Sequence, residues 1–247
     1  MINATIVRLT IRQLLGQKRT VLMVVFAAIP LAVTILYRLS DNADSDPQRW
    51  AASVALSRLV VQLVLPFTAL VFATAALGQE FEDGTAVYLL SKPIRRSTIV
   101  ASKLLVAWAA TTAVVLLSAV PTGLVAVSGH PQDGIVLGFT VACIAGSFVY
   151  CAAFMWLSIA TSRALIVGLL YAFIWEGVVT DLFRGVRIFS IRQYTLGIAG
   201  QLITAPRRVF DPRLDGPQAI LLALAVSVVA TWFAIRALQR WQIGEAT

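Results

Sequence analysis

Six stretches of this chain carry almost no charge and are each about as long as a bilayer is thick, which leaves few folds open. They fall at about 20–37, 59–78, 98–127, 135–160, 164–181 and 217–238. Crossing roughly 30 Å of hydrocarbon at about 1.5 Å per residue takes about 20 residues of helix. Backbone amides in lipid need internal partners, so only helices and closed barrels cross. The runs lack the two-residue alternation of a barrel strand. The expected fold is therefore all-α, a polytopic membrane protein with six transmembrane helices in a single domain over 1–247. Composition agrees, with 59% apolar and 13% charged residues, where soluble domains average about a quarter charged.

The flanks of the runs set the expected topology. Arg8, Arg12, Lys18 and Arg19 precede the first run, which has neither the short h-region nor the cleavage site of a secretory signal and is expected to be retained. Arg8 and Arg12, one turn apart beside Thr5, stripe an otherwise apolar segment containing Ile6, Val7, Ile11 and Leu14. That pattern predicts an interfacial helix over 1–17, or more simply a basic anchor. The loop from Arg38 to Arg49 carries Asp41, Asp44 and Asp46 and should face outward, whereas Lys92, Arg95, Arg96 and Lys103 place 79–97 in the cytoplasm. Ser128 to Gly134 has no Lys or Arg, and Arg163 marks another cytoplasmic turn. Both termini are expected to be cytoplasmic.

The segment 182–216 breaks the pattern. Parity puts it outside, yet Arg184, Arg187, Arg192, Arg207, Arg208 and Arg213 outnumber Asp211 and Asp215, against the positive-inside bias. A fifth run that failed to cross would bring the segment inside and send Arg236 and Arg240 out. Six spans keep the upstream bias consistent. Within the segment, Ile191, Tyr194, Ile198 and Leu202 recur at helical spacing behind Ser190, an N-cap candidate. They predict an amphipathic helix lying on or dipping into the outer leaflet. Pro30, Pro66 and Pro121 fall inside spans one to three and mark expected kinks.

The chemistry-bearing residues are few. The net charge of +8 flanks hydrophobic spans, which points to membrane lipid rather than nucleic acid as the anionic partner. Only three of the 20 basic residues are lysine, which with the richness in Ala and Val suggests a high-GC bacterium, and the plasma (inner) membrane is the expected location. Cys143 and Cys151 lie eight positions apart, about 80° round a helix, which suits packing rather than a disulfide or metal site. His130, the only histidine, stands in a loop beside Pro131 and leaves an intramembrane hydrolase without a catalytic pair. A stand-alone carrier or channel would need ionisable relays across several spans, and only Glu176 and Asp181 are available. A phosphate-cradling loop needs GxxxxGK[ST], and the chain has no Gly-Lys dipeptide.

Between spans two and three, Glu80, Glu82 and Asp83 are followed by Gly84 and Thr85, a short apolar stretch to Leu90, then Ser91, Lys92, Pro93, Arg95, Arg96 and Lys103. Acids suit the start of a short surface helix and the bases can snorkel to headgroups. By its residues alone this is a topology-setting loop or a place where a partner in water can push. The pattern of Glu80, Phe81, Glu82, Asp83, Gly84, Thr85, Leu89, Leu90, Ser91, Lys92, Pro93, Arg95, Arg96 and Lys103 resembles the membrane subunits of ABC-2 type exporters in the ATP-binding cassette superfamily. The resemblance implies that 79–97 holds a cytoplasmic coupling helix, which meets a separate ATP-binding subunit through Glu80, Phe81, Glu82, Asp83, Gly84, Thr85, Arg95 and Arg96. It implies ATP and Mg bound by that partner, no cofactor on this chain, and a permease in which the chain pairs with a copy of itself or a near relative, the homodimer being the simpler.

Glu176 follows twelve apolar residues in the fifth run, roughly 18 Å along a helix. A charge at that depth costs about 2.5–3.5 kcal/mol. It is expected either to face a dimer interface or translocation path, paired with Arg184 or Arg187, or to act as a polar contact that holds helices together.

Overall fold

A computed structural model describes residues 4–15, 18–40, 47–78, 95–127 and 134–240, and every regular element among them is helical. In order they are α1 Ala4–Leu15, α2 Arg19–Leu39, α3 Pro47–Gly78, α4 Arg96–Ala126, α5 Ile135–Ala160, α6 Ala164–Val179, α7 Ile191–Leu202 and α8 Gly216–Arg240. Helices α2, α3, α4, α5 and α8 are long and apolar enough to cross a membrane, whereas α6 is shorter. The run at 59–78 therefore belongs to a helix of 32 residues that starts well before it. Pro47 suits a first helical turn, and Ala51, Ala52, Ala55 and Leu56 are buried in the bundle while Arg49 and Arg58 stay exposed. A charged residue on the outer side of a helix ends an uncharged window without ending the helix.

Helix α5 is the centre of the bundle and packs against α3, α4, α7 and α8. Small residues let α7 come close. A Cβ on Gly138 would lie 2.9 Å from the Ala199 carbonyl oxygen. Gly134 opens α5 with φ +65, and a Cβ there would meet the Leu202 carbonyl oxygen at 2.9 Å, so both its conformation and its surroundings require glycine. Pro30 and Pro66 sit where helical winding changes. Helix α2 breaks at Ala28 before restarting at Ile29, and α3 passes from π-helical winding over Ala51–Val64 to α-helix at Leu65–Ala73. Pro121 lies inside α4, which continues past it.

Side-chain ties define the two ends of the bundle. At one end the Arg96 guanidinium donates to the Leu238 carbonyl of α8, and Gly78 packs on Ser158 of α5. At the other, Arg38 of α2 donates to the Ala126 carbonyl of α4, and Tyr37 and Trp50 stack with ring centroids 3.9 Å apart. Helix α1 lies against α4 with Ile6, Thr10 and Leu14 buried and Arg8 exposed. Leu9 and Ile11 are exposed beside Arg8. Between α1, α2 and α4 a cavity of about 290 Å³ is lined by Val7, Ile11, Leu14, Val24, Val106 and Ala110.

The helix over Ile191–Leu202 forms as its spacing predicts, with Ser190 as N-cap accepting from the Gln193 amide at 3.3 Å. Its setting overturns the first of the two expected positions, a helix lying on the surface. Ile191 through Ala199 are all buried, including Arg192, Gln193 and Thr195. The chain folds back after α6, so that Trp175 Nε1 donates to the Phe189 carbonyl at 3.4 Å. Helix α7 then runs from mid-α5, where Thr195 meets Gly146, to the α5 start, where Leu202 meets Gly134. Flanking helices cover its polar face, so periodicity alone misplaces it. Both cysteines are free and buried, with Cys151 Sγ 3.3 Å from Thr111 Oγ1, as packing residues should be.

Candidate functional site

Inside the bundle Glu176 is buried, only 1% exposed. It sits in the π-helical stretch Tyr171–Val179 of α6. In an α-helix, residues five apart stand about 140° round the axis, but the wider i→i+5 winding brings them toward one face. Tyr171 Oη thereby donates to Glu176 Oε1 at 3.1 Å from within the same element. Tyr150 of α5 donates to Oε2, and the Arg192 backbone N–H at the start of α7 donates to Oε1 at 3.2 Å. Three helices thus converge on one carboxyl group.

The backbone of this stretch is held by the same residues. The Glu176 carbonyl accepts from Thr180 Oγ1 at 2.9 Å and from Arg192 Nη1 at 3.3 Å. Wide winding loosens the helical ladder, and side chains satisfy what it frees. Close by, Tyr194 donates to the Ile188 carbonyl. Burial, and after it the Glu176 carboxylate, push the Tyr194 phenol up to about 12, so it remains a donor across the physiological range. The Glu176 side chain is turned into its own bundle, and its observed donors are Tyr150, Tyr171 and the Arg192 amide. Arg187, one of the two expected partners, donates to the Thr180 carbonyl at 3.2 Å. Nothing in the apolar pattern marks Tyr150, Tyr171 or Arg192 as partners. Only the depth of Glu176 signalled that donors had to be found for it.

The second region of interest is the end of the bundle from which 79–94 departs. Residues Glu80, Phe81, Glu82, Asp83, Gly84 and Thr85 lie outside the described residues, as do Lys92 and Pro93. Arg95 is the N-cap of α4, and Arg96 is its first residue. Lys103, expected to snorkel outward, is instead buried at 1% exposure, with Nζ 2.5 Å from the Ala76 carbonyl oxygen. Ala76 belongs to the terminal π-helical turn of α3, Thr74–Gly78, where a loosened ladder offers a carbonyl to the ammonium. With Arg96 bonded to Leu238, the adjoining ends of α3, α4 and α8 are tied by two cations. Among the described residues no group of acidic, histidine or cysteine side chains could hold a metal ion.

Comparison with protein families finds a match over residues 15–183 to a family described as ABC-2 family transporter protein. That stretch runs from the end of α1 to just past α6 and includes Tyr150, Tyr171, Glu176, Arg96 and Lys103, while Arg192 and Leu238 lie beyond it. Comparison with curated proteins finds no match.

Proposed function

Because the chain belongs to the ABC-2 transporter family, we propose that it is the transmembrane permease subunit of a bacterial ABC exporter, driven by ATP hydrolysis in a separate subunit. ATP and Mg would be held by that partner, and the chemistry of hydrolysis would reside there. The observation that carries this reading is the family match across α2 to α6, and the tied helix ends give it a physical route. A partner in the cytoplasm that closes on 79–97, with Glu80, Glu82 and Asp83 as its acidic contacts and Arg95 and Arg96 at its end, would pull on α3 and α4 at their junction. The Lys103 and Arg96 ties would pass that pull to α8 rather than spend it in bending one helix end. Two copies of the chain, in the plasma membrane with both termini in the cytoplasm, make the simplest complete transport unit.

In this arrangement Glu176 is a latch between α5, α6 and α7, the second of the two roles open from sequence. Its donors come from α5, α6 and α7, which supports a role in holding those three helices together. The reading is tested by reconstituting the chain in liposomes with and without an ATP-binding subunit that co-purifies with it. Export should appear only with the ATPase and ATP. Gradient-driven flux through the chain alone would make it a secondary carrier instead.

A further inference from the structure

The cavity between α1, α2 and α4 has no part in that account, and its lining says what can enter it. Leu14, Phe72, Val106 and Val114 form a buried floor, while Ile11, Val24, Leu105 and Ala109 are exposed at its mouth. Among the described residues that line it only Thr20 is polar, and its hydroxyl donates to the Leu14 carbonyl at 2.5 Å. A water needs two to four polar partners, which this lining does not supply. The cavity is therefore a place for hydrocarbon. An apolar cavity of about 150 Å³ takes up benzene, so one of about 290 Å³ has room for about a dozen carbons.

Its shape selects the kind of hydrocarbon. From Leu105 to Val114 the lining follows α4, a length of about 13 Å at about 1.5 Å per residue. Spread over that length the volume averages about 20 Å² in section, whereas a helix about 10 Å across presents about 80 Å². A helix of a second copy cannot enter, and one extended acyl chain can. Charge narrows the choice of headgroup. Val7, Ile11 and Leu14 of the lining fall within about 60° on α1, and Arg8 stands about 60° beyond Ile11, on the side away from buried Ile6 and Thr10. Arg8 is exposed there, and Arg19, also exposed, directly precedes Thr20. Residues 1–40 contain five basic residues and no acidic one, a balance that attracts anionic headgroups at a bilayer surface. Helix α1 also touches the last turn of α3, Thr74–Gly78, so the cavity lies at the end of the bundle from which 79–94 departs.

We propose that this cavity holds one acyl chain of an anionic phospholipid, with the headgroup phosphate at Arg8 and the acyl chain lying along α4 between Leu105 and Val114. Such a lipid completes the packing of α1 on α2 and α4, where the protein's own side chains leave a slot. The proposal needs the protein to lie in a membrane and holds whether or not transport is driven by ATP.

The test uses the full-length protein, released from nanodiscs of equal parts phosphatidylglycerol and phosphatidylcholine with the same acyl chains, and counts retained lipid by native mass spectrometry. One lipid per protein should remain, with phosphatidylglycerol favoured at least fivefold. Ala109→Phe and Ala113→Phe each set a ring at the mouth from an exposed position, so the fold should be kept, and each should reduce retention at least fivefold. Arg8→Gln should leave a lipid bound and bring the preference for phosphatidylglycerol below twofold. Retention that either ring leaves unchanged, equal retention of the two headgroups by the unaltered protein, or a preference that survives Arg8→Gln would each overturn the proposal. So would the absence of retained lipid, and a dimer that Ala109→Phe then abolishes would assign this face to a second copy.

Discussion

Helices α7 and α8 are neighbours in sequence and in space, yet they are stabilised by different physics. Helix α8 has 25 residues, and only 28% of its apolar window is buried, with Leu221, Leu224 and Val228 all more than 60% exposed. Helix α7 has 12 residues, too few to cross, and from Ile191 to Ala199 every side chain is covered. The first is a helix in a solvent of lipid. The second depends on being held, by a capped start, glycine-lined contacts on α5 and the Glu176 carboxyl. Hydrophobic length makes the one, and specific hydrogen bonds with close packing make the other. Damage should therefore be graded between them.

The largest effect is expected at Glu176→Ala. It removes the acceptor of Tyr150, Tyr171 and the Arg192 amide, and each orphaned buried group costs about 1–3 kcal/mol, giving a total of about 3 kcal/mol or more. The unfolding midpoint in detergent should fall accordingly, and Glu176→Gln should fall much less. Next comes Gly138→Leu, whose Cβ would meet the Ala199 carbonyl oxygen at 2.9 Å. Overpacking of this kind costs about 1–3 kcal/mol, visible by the same melting measurement. Ser190→Ala, which removes the cap on α7, should cost about 1 kcal/mol. Smallest of all, Leu224→Ala on the exposed face of α8 should stay within about 0.5 kcal/mol. A Leu224→Ala loss larger than that of Gly138→Leu would erase the contrast and make α8 the packed element.

The same contrast explains what could be read from the amino-acid order. The long apolar helices were legible because crossing hydrocarbon is a one-dimensional demand, met by length and the lack of charge. Start points were less legible: α3 begins at Pro47 because the buried positions Ala51, Ala52 and Ala55 continue the helix beneath exposed Arg49 and Arg58. The α7 helix and its Ser190 cap were read correctly from local pattern, but its burial was not, since that depends on α5 and α8 arriving around it. Glu176 stood out by its depth. Its partners did not, because Tyr171 reaches it only through π-helical winding that a 3.6-residue period does not anticipate. Lys103 was expected at the headgroups for want of any signal that the last turn of α3 would offer the Ala76 carbonyl.

The central claim is that a separate ATPase acts on this chain through 79–97. Its most direct test is capture of an ATP-hydrolysing subunit by the tagged chain from its native membrane, compared with a variant carrying Glu80→Lys, Glu82→Lys and Asp83→Lys. The account predicts stoichiometric ATPase with the wild-type chain and its loss from the variant, at equal amounts of folded permease. Capture that is absent from the wild type, or unchanged by the three reversals, would contradict it.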